Sequence, residues 1–265
     1  MTNTTVCLIS VFKNESHIIQ EWIEHYLKEG VNHFFLVDNG STDDYIEKIQ
    51  TYIDRGIITL IIDDKKHAQI EHLNKFLPLC KNFDWVIVVD LDELVYSRNG
   101  YKTIKEYLNS LSENVLQVYI PWKMYGSNSF VQQPSNVINN FILRNLYNEL
   151  HIINGKCITR GKNISYLQQH YSNLNEENGL LITSNNEQQI NENKTSINIS
   201  EDILKNSCLH LNHYAIQSWE YFYKIKMTRG DVLSQSVDFI RDENYFKAYD
   251  FNHFMDDELK NKNYA

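Results

Sequence analysis

Apolar and polar positions alternate in blocks along the first hundred residues. Thr5 to Val11 is a β-branched apolar run and reads as a strand, followed by Ile18 to Glu29, where Ile19, Trp22, Ile23, Tyr26 and Leu27 recur at helical spacing up to the stop at Gly30. His33 to Val37 is a second strand. It runs into Asp38-Asn39-Gly40-Ser41-Thr42-Asp43, where Thr42 or Asp43 can cap a helix reaching about Arg55. Ile57 to Ile62 predicts a third strand, His67 to Cys80 a third helix, and Trp85 to Val89 a fourth strand. Such alternation predicts a parallel sheet with right-handed crossovers, so all four strands end at one edge. That edge gathers Lys13-Asn14-Glu15, Asp38-Asn39, Asp63-Asp64 and Asp90-Leu91-Asp92.

Beyond residue 100 the pattern changes. Val115 to Trp122, Lys156 to Lys162, Tyr166 to Tyr171 and Leu209 to Ile216 predict strands, and Trp219 to Thr228 and Asn244 to Leu259 predict helices. Ser172 to Asn206 is rich in Asn, Glu and Ser, and its composition predicts a flexible surface excursion. With only 3 Pro and 9 Gly no linker is marked, so residues 1–265 read as one domain. Its halves are about 1–100, suited to a nucleotide, and about 101–265, a lobe of mixed strands and helices.

The run Trp85-Val86-Ile87-Val88-Val89 followed by Asp90-Leu91-Asp92-Glu93 carries the first chemical signal. A strand covered on both faces cannot leave carboxylates unpaired, so these acids belong at its exposed carboxyl end. If the strand continued, Asp90 and Asp92 would face one way and could share Mg²⁺ or Mn²⁺, hard ions that take oxygen ligands. The net charge of -9 argues against a nucleic-acid partner held by phosphate contacts. The first residues lack the pattern of a signal peptide, and no apolar run reaches membrane-spanning length. A soluble, cytoplasmic protein is expected, with room for peripheral contact with a membrane. Cys7, Cys80, Cys157 and Cys208 stand singly among mostly apolar neighbours and are expected to be free and buried.

An ordered series of motifs runs along the chain. The series is Ile9-Ser10-Val11-Phe12-Lys13-Asn14-Glu15, Glu21-Trp22-Ile23-Glu24-His25-Tyr26, Val37-Asp38-Asn39 with Ser41-Thr42-Asp43, and Trp85 to Glu93. Trp122, Tyr125-Gly126-Ser127, Lys156 and His213-Tyr214 with Ser218-Trp219-Glu220, Phe222, Lys226 and Gly230 continue it. Over about residues 5–130 and 208–232 this series resembles glycosyltransferase family 92 and related family 2 enzymes of the GT-A fold. The resemblance implies a Rossmann-like, mostly parallel sheet flanked by helices, and metal-dependent, inverting transfer of a hexosyl unit from a nucleotide sugar, a UDP-sugar, to a glycan or glycolipid acceptor.

Carried onto this chain, the resemblance implies Glu15 and Asp38 for the base and ribose, and Asp90 for the ribose or a metal-bound water. Asp92 and His213 would hold Mn²⁺ or Mg²⁺. His210 and His170 are rivals of His213, and helix capping is the alternative for Glu15 and Asp38. Lys226 and Arg229 are placed to clamp a departing diphosphate, or simply to favour a helix C-terminus. The acceptor side departs from the family pattern at Ser129-Phe130 and Asn139-Asn140-Phe141. The general base is therefore open among Glu93, Glu220 and Asp231. That departure also leaves a catalytically inactive nucleotide-sugar-binding or regulatory module as the second reading.

Overall fold

The structure is a computed structural model that describes residues 4–175, 179–187, 196–229 and 241–264. The first hundred residues form β1 (Val6–Phe12), α1 (Ser16–Lys28), β2 (His33–Asp38), α2 (Tyr45–Asp54), β3 (Ile58–Ile62), α3 (Gln69–Asn74), α4 (Leu77–Cys80), β4 (Trp85–Val88) and β5 (Glu93–Ser97). Then follow α5 (Ile104–Ser110), β6 (Val115–Met124), α6 (Val137–Asn140), β7 (Leu143–Arg144), β8 (His151–Arg160), β9 (Ile164–Leu167), β10 (Ser172–Leu174), β11 (Leu180–Thr183) and β12 (Ser196–Ile199). The chain closes with α7 (Glu201–Asn206), β13 (Leu209–His213), α8 (Trp219–Lys224), α9 (Glu243–Tyr249) and β14 (Phe254–Met255).

The main sheet runs β3-β2-β1-β4-β8-β6-β13-β5, with β11 on β6 and β12 on β8. Strands β3, β2, β1 and β4 are parallel, whereas β8 joins β4 and β6 antiparallel. This is the GT-A-type arrangement expected from the sequence, a parallel half continued by a mixed one. Strand alternation fills both faces. Val6 and Leu8 of β1 pack into the core under α1 and α2, and Cys7 and Ile9 pack on the opposite face with Leu73, Phe76 and Cys80. All four cysteines are free and buried.

Several elements differ from the expectation. The helix expected over His67 to Cys80 starts at Gln69 and is broken between Asn74 and Leu77. Pro78 lacks the N–H that would continue the ladder and would crowd the carbonyl four residues back. The expected excursion Ser172 to Asn206 carries regular structure in its described residues. Leu180–Thr183 pairs parallel with β6, Ser196–Ile199 pairs antiparallel with β8, and Ser200 caps α7 by accepting from the Ile203 N–H. Strands this short show no period that could outweigh a polar composition.

The helix expected over Asn244 to Leu259 ends at Tyr249. Beyond it Asp256 is anchored to Lys123 at 2.7 Å and to Arg144 at 2.6 Å, which draws the chain across β7 as β14 instead. The helix expected over Trp219 to Thr228 is α8 followed by a 3₁₀ turn, Lys226–Thr228. The strand expected over Leu209 to Ile216 stops at His213, where the Tyr214 N–H donates to the Asp92 carbonyl at 2.8 Å.

Candidate active site

Asp90 and Asp92 lie in the turn from β4 into β5, at the carboxyl edge of the parallel strands, and Glu93 opens β5. Strand β5 pairs antiparallel with β13 in a register that sets His213 opposite Glu93. This register brings His213 to Asp92, with Nε2 3.8 Å from Oδ1. On its other oxygen Asp92 meets Lys226 Nζ at 2.5 Å. Burial alone would raise the Asp92 carboxyl, but the Lys226 ammonium, with His213 beside it, holds it well below the usual carboxylate range. Burial pushes the His213 imidazole down to about 4, so it is neutral at pH 7. Its Nδ1 is buried without a hydrogen-bond partner among the described residues.

Asp90 turns away from this pair. Its Oδ2 accepts from Lys156 Nζ at 3.0 Å and its Oδ1 from Gln69 Nε2 at 3.2 Å. The regular strand ends at Val88, so the alternation that would have aligned Asp90 with Asp92 no longer applies. Among the described residues no group of three or more His, Cys, Asp or Glu is placed to hold a metal ion. The expected set Asp90, Asp92 and His213 is thus reduced to Asp92 and His213. A hard carboxylate and a neutral imidazole are nevertheless donors that Mn²⁺ or Mg²⁺ accepts.

Glu93, a candidate base by sequence, is 0% exposed. Its Oε1 accepts from Trp122 Nε1 at 2.7 Å and its Oε2 from the Asp90 N–H at 2.9 Å, with Lys156 Nζ 3.4 Å away. Burial pushes its carboxyl up to about 8, with Asp90 and Asp92 adding to the rise. A group sealed in this way cannot touch a substrate. It fixes the acid turn to Trp122 and Lys156.

Glu15 stands at the start of α1 but its side chain caps nothing there. Instead its Oε1 accepts from Tyr221 OH at 2.8 Å and from Arg229 Nη2 at 2.8 Å, and Lys226 Nζ lies 3.9 Å off. Arg229 also donates to the Lys13 carbonyl at 2.6 Å. Asp38 accepts from the Ser41 N–H at 2.7 Å and from Tyr45 OH at 3.0 Å, bracing the turn after β2. The capping alternative therefore fails for Glu15, and for Asp38 it becomes a turn contact. Lys226 and Arg229 are thus paired with the carboxylates of Asp92 and Glu15. Glu220 lies outward on α8, bound to Lys224 at 2.7 Å and to the Gln133 N–H at 2.9 Å. Asp231 lies outside the described residues.

The two rival histidines have surroundings of their own. His210 is buried away from the acids, with Nδ1 3.1 Å from Lys123 Nζ and Nε2 donating to the Leu204 carbonyl at 2.8 Å. The His170 ring touches the Trp122 indole that His213 also contacts, at centroid distances of 5.4 Å and 4.4 Å. Sequence reasoning missed Tyr221 and Gln69, which read as one more aromatic on an apolar helix and one more polar residue on a surface helix. Lys156 had a usable signal, a lone cation next to the apolar run Cys157-Ile158.

The sequence model of glycosyltransferase family 92 matches residues 2–247, nearly the whole chain, and the chain belongs to that family. Among curated proteins it is similar to a family 92 protein of Ricinus communis, 23% identical over 245 residues, covering 90% of this chain and 40% of the relative. A family 92 protein of Oryza sativa subsp. japonica is 23% identical over 246 residues, covering 91% and 38%. The chain thus spans about two-fifths of the length of these relatives. Among solved structures it is similar to GalNAc-T7 with UDP, GalNAc and Mn²⁺ at a TM-score of 0.46 and 10% identity, covering 82% of this chain and 45% of that one. S. aureus TarS 1-349 gives a TM-score of 0.42 and 15% identity, covering 68% and 61%. No helix among the described residues is long and apolar enough to cross a membrane.

Proposed function

We propose that this chain transfers a hexosyl unit from a UDP-sugar to a hydroxyl of a glycan or glycolipid acceptor, inverting the anomeric centre and using Mn²⁺ or Mg²⁺. The observation that carries the reading is the meeting of Asp92, His213 and Lys226 beside Glu15 at the carboxyl edge of the parallel strands. Membership of family 92 supports the same activity.

On this reading Asp38 and Glu15 accept hydrogen bonds from the ribose and base, since carboxylates accept while sugar hydroxyls and a uracil N–H donate. Asp92 and His213 hold the divalent ion, which when bound offsets the charge developing on the diphosphate. Lys226 and Arg229 exchange their carboxylate partners for phosphate oxygens and stabilise the departing diphosphate as the glycosyl bond breaks. Lys156 and Glu93 keep the acid turn in place beneath them. Asp90, held by Lys156 and Gln69, keeps a second oxygen edge near the ribose side.

The test is a panel of nucleotide sugars with the full chain and Mn²⁺, read as release of the nucleoside diphosphate. Release from at least one UDP-sugar, abolished by chelator, is the expected result. Binding of UDP with no cleavage of any donor would favour the inactive binding module instead.

A further inference from the structure

The Glu15 carboxylate is held by residues some two hundred positions away, and their contacts fall on one of its two oxygens. Oε1 accepts from Tyr221 OH at 2.8 Å and from Arg229 Nη2 at 2.8 Å, with Lys226 Nζ 3.9 Å off. Among the described residues no donor meets Oε2. Glu15 is 4% exposed, and a carboxylate oxygen left without a donor in such a place favours a guest that supplies one.

Tyr221 is fixed from several directions. At the start of α8 the Ser218 Oγ accepts from the Tyr221 N–H at 3.1 Å and itself donates to Gln133 Oε1 at 2.7 Å. The buried Tyr221 ring meets the His17 ring at 4.4 Å, and Lys226 Nζ lies 5.8 Å from its centroid. Burial, with the Glu15 carboxylate beside it, raises the phenol above its ordinary value, so its oxygen keeps the hydrogen that it donates. Arg229 donates to the same phenol oxygen at 3.0 Å. The two partners of Oε1 differ in one respect. Arg229 is a cation that a diphosphate draws towards itself, whereas the neutral phenol stays on Glu15.

We propose that Tyr221 is a positioning residue that makes Glu15 a one-sided acceptor and so selects the nucleobase, an inference that rests on the glycosyltransferase reading. With Oε1 held by Tyr221, Oε2 is the oxygen presented to the base. Uracil has an N–H at N3 and supplies the missing donor. Cytosine has a lone pair at N3, so two acceptors would face one another and both would go without a partner. The selection acts at one atom of the base, apart from whatever holds the sugar and the diphosphate.

Calorimetry with UDP and with CDP, on the full chain with Mn²⁺, tests the assignment. The native chain is expected to bind UDP at least about 10-fold more tightly than CDP. Glu15→Gln sets its amide oxygen on Tyr221 and turns its NH₂ towards the base, so the preference is expected to reverse in favour of CDP. Tyr221→Phe keeps the ring against His17, and is expected to weaken UDP by about 5–20-fold and CDP by less than about threefold. Added to Glu15→Gln, Tyr221→Phe frees the amide to turn over, and the preference for CDP is expected to shrink. A native chain that prefers CDP, or a Glu15→Gln variant that still prefers UDP, overturns the assignment. So does a Tyr221→Phe variant that loses UDP and CDP equally, the result of a tyrosine that only supports the fold. Failure of the parent reading looks different, because the native chain itself would then bind neither nucleotide.

Discussion

Lys226 and Asp92 form a buried ion pair in which Nζ stands 2.5 Å from Oδ2, between the end of α8 and the turn after β4. Removing one partner of such a pair strands the other in low dielectric. Lys226→Met is therefore expected to destabilise the chain by about 3–5 kcal/mol, read by denaturant unfolding. Because Asp92 and His213 remain, Mn²⁺ should raise the melting temperature of the variant more than that of the native chain. Equal shifts would speak against the Asp92–His213 pair as ion ligands.

Asp92→Asn keeps the shape of the side chain and leaves Lys226 within reach of Glu15. The variant is expected to fold, with unchanged circular dichroism, and to cleave UDP-sugar at least about 10²-fold more slowly. Native-like turnover in Asp92→Asn would sink the proposed role.

Glu93 offers a sharper contrast. Glu93→Gln retains acceptor capacity for Trp122 and fits the same space, so it should lose less than about tenfold in donor cleavage. Glu93→Ala leaves the indole N–H, the Asp90 N–H and part of the Lys156 ammonium unpaired, at an expected cost of about 2–4 kcal/mol. A proton-transferring Glu93 would instead lose nearly all activity on conversion to Gln with stability intact.

Acid should weaken the fold through His25. Its Nε2 donates to the Val95 carbonyl at 2.7 Å, and burial pushes its imidazole from the ordinary 6.5 down to about 4. Between those values the unfolded chain binds the extra proton. Stability is then present above about pH 6.5 and is lost as pH falls towards 4, by at most about 3 kcal/mol from this group. Melting scans at pH 7 and pH 5 should show the drop, and His25→Gln should make it smaller, the part due to other buried histidines such as His213 remaining.

How much of this was readable in advance depended on length. Strands β1, β2 and β3 and helices α1 and α2 are long enough for periodicity to speak, β4 with its 4 residues is legible from an unbroken apolar run instead, and the order of these elements sets the edge at which Glu15, Asp38 and Asp90 gather. Strands β10, β11 and β12 have 3 or 4 residues each, so a polar composition outweighed them. At the site, residue types were legible and partners were not. Nothing in the spacing of Asp92, Lys226 and Tyr221 tells that Tyr221 reaches Glu15 and Lys226 reaches Asp92, because those contacts join segments more than a hundred residues apart. The split between Asp90 and Asp92 was hidden for a different reason. Alternation holds only while the strand lasts, and it lasts to Val88.

The pairing of Asp90 with Lys156, Asp92 with Lys226 and Glu15 with Arg229 sets three carboxylates against three cations, so these six groups are formally neutral before anything enters. A divalent ion alone would leave two positive charges in excess, and a nucleotide diphosphate sugar alone two negative ones. Together they cancel. Such a pocket favours guests that arrive as a matched couple, each raising the affinity of the other by the charge it supplies. Selectivity for a complete donor can thus reside in the resting pattern of charge, before any contact with the sugar is made.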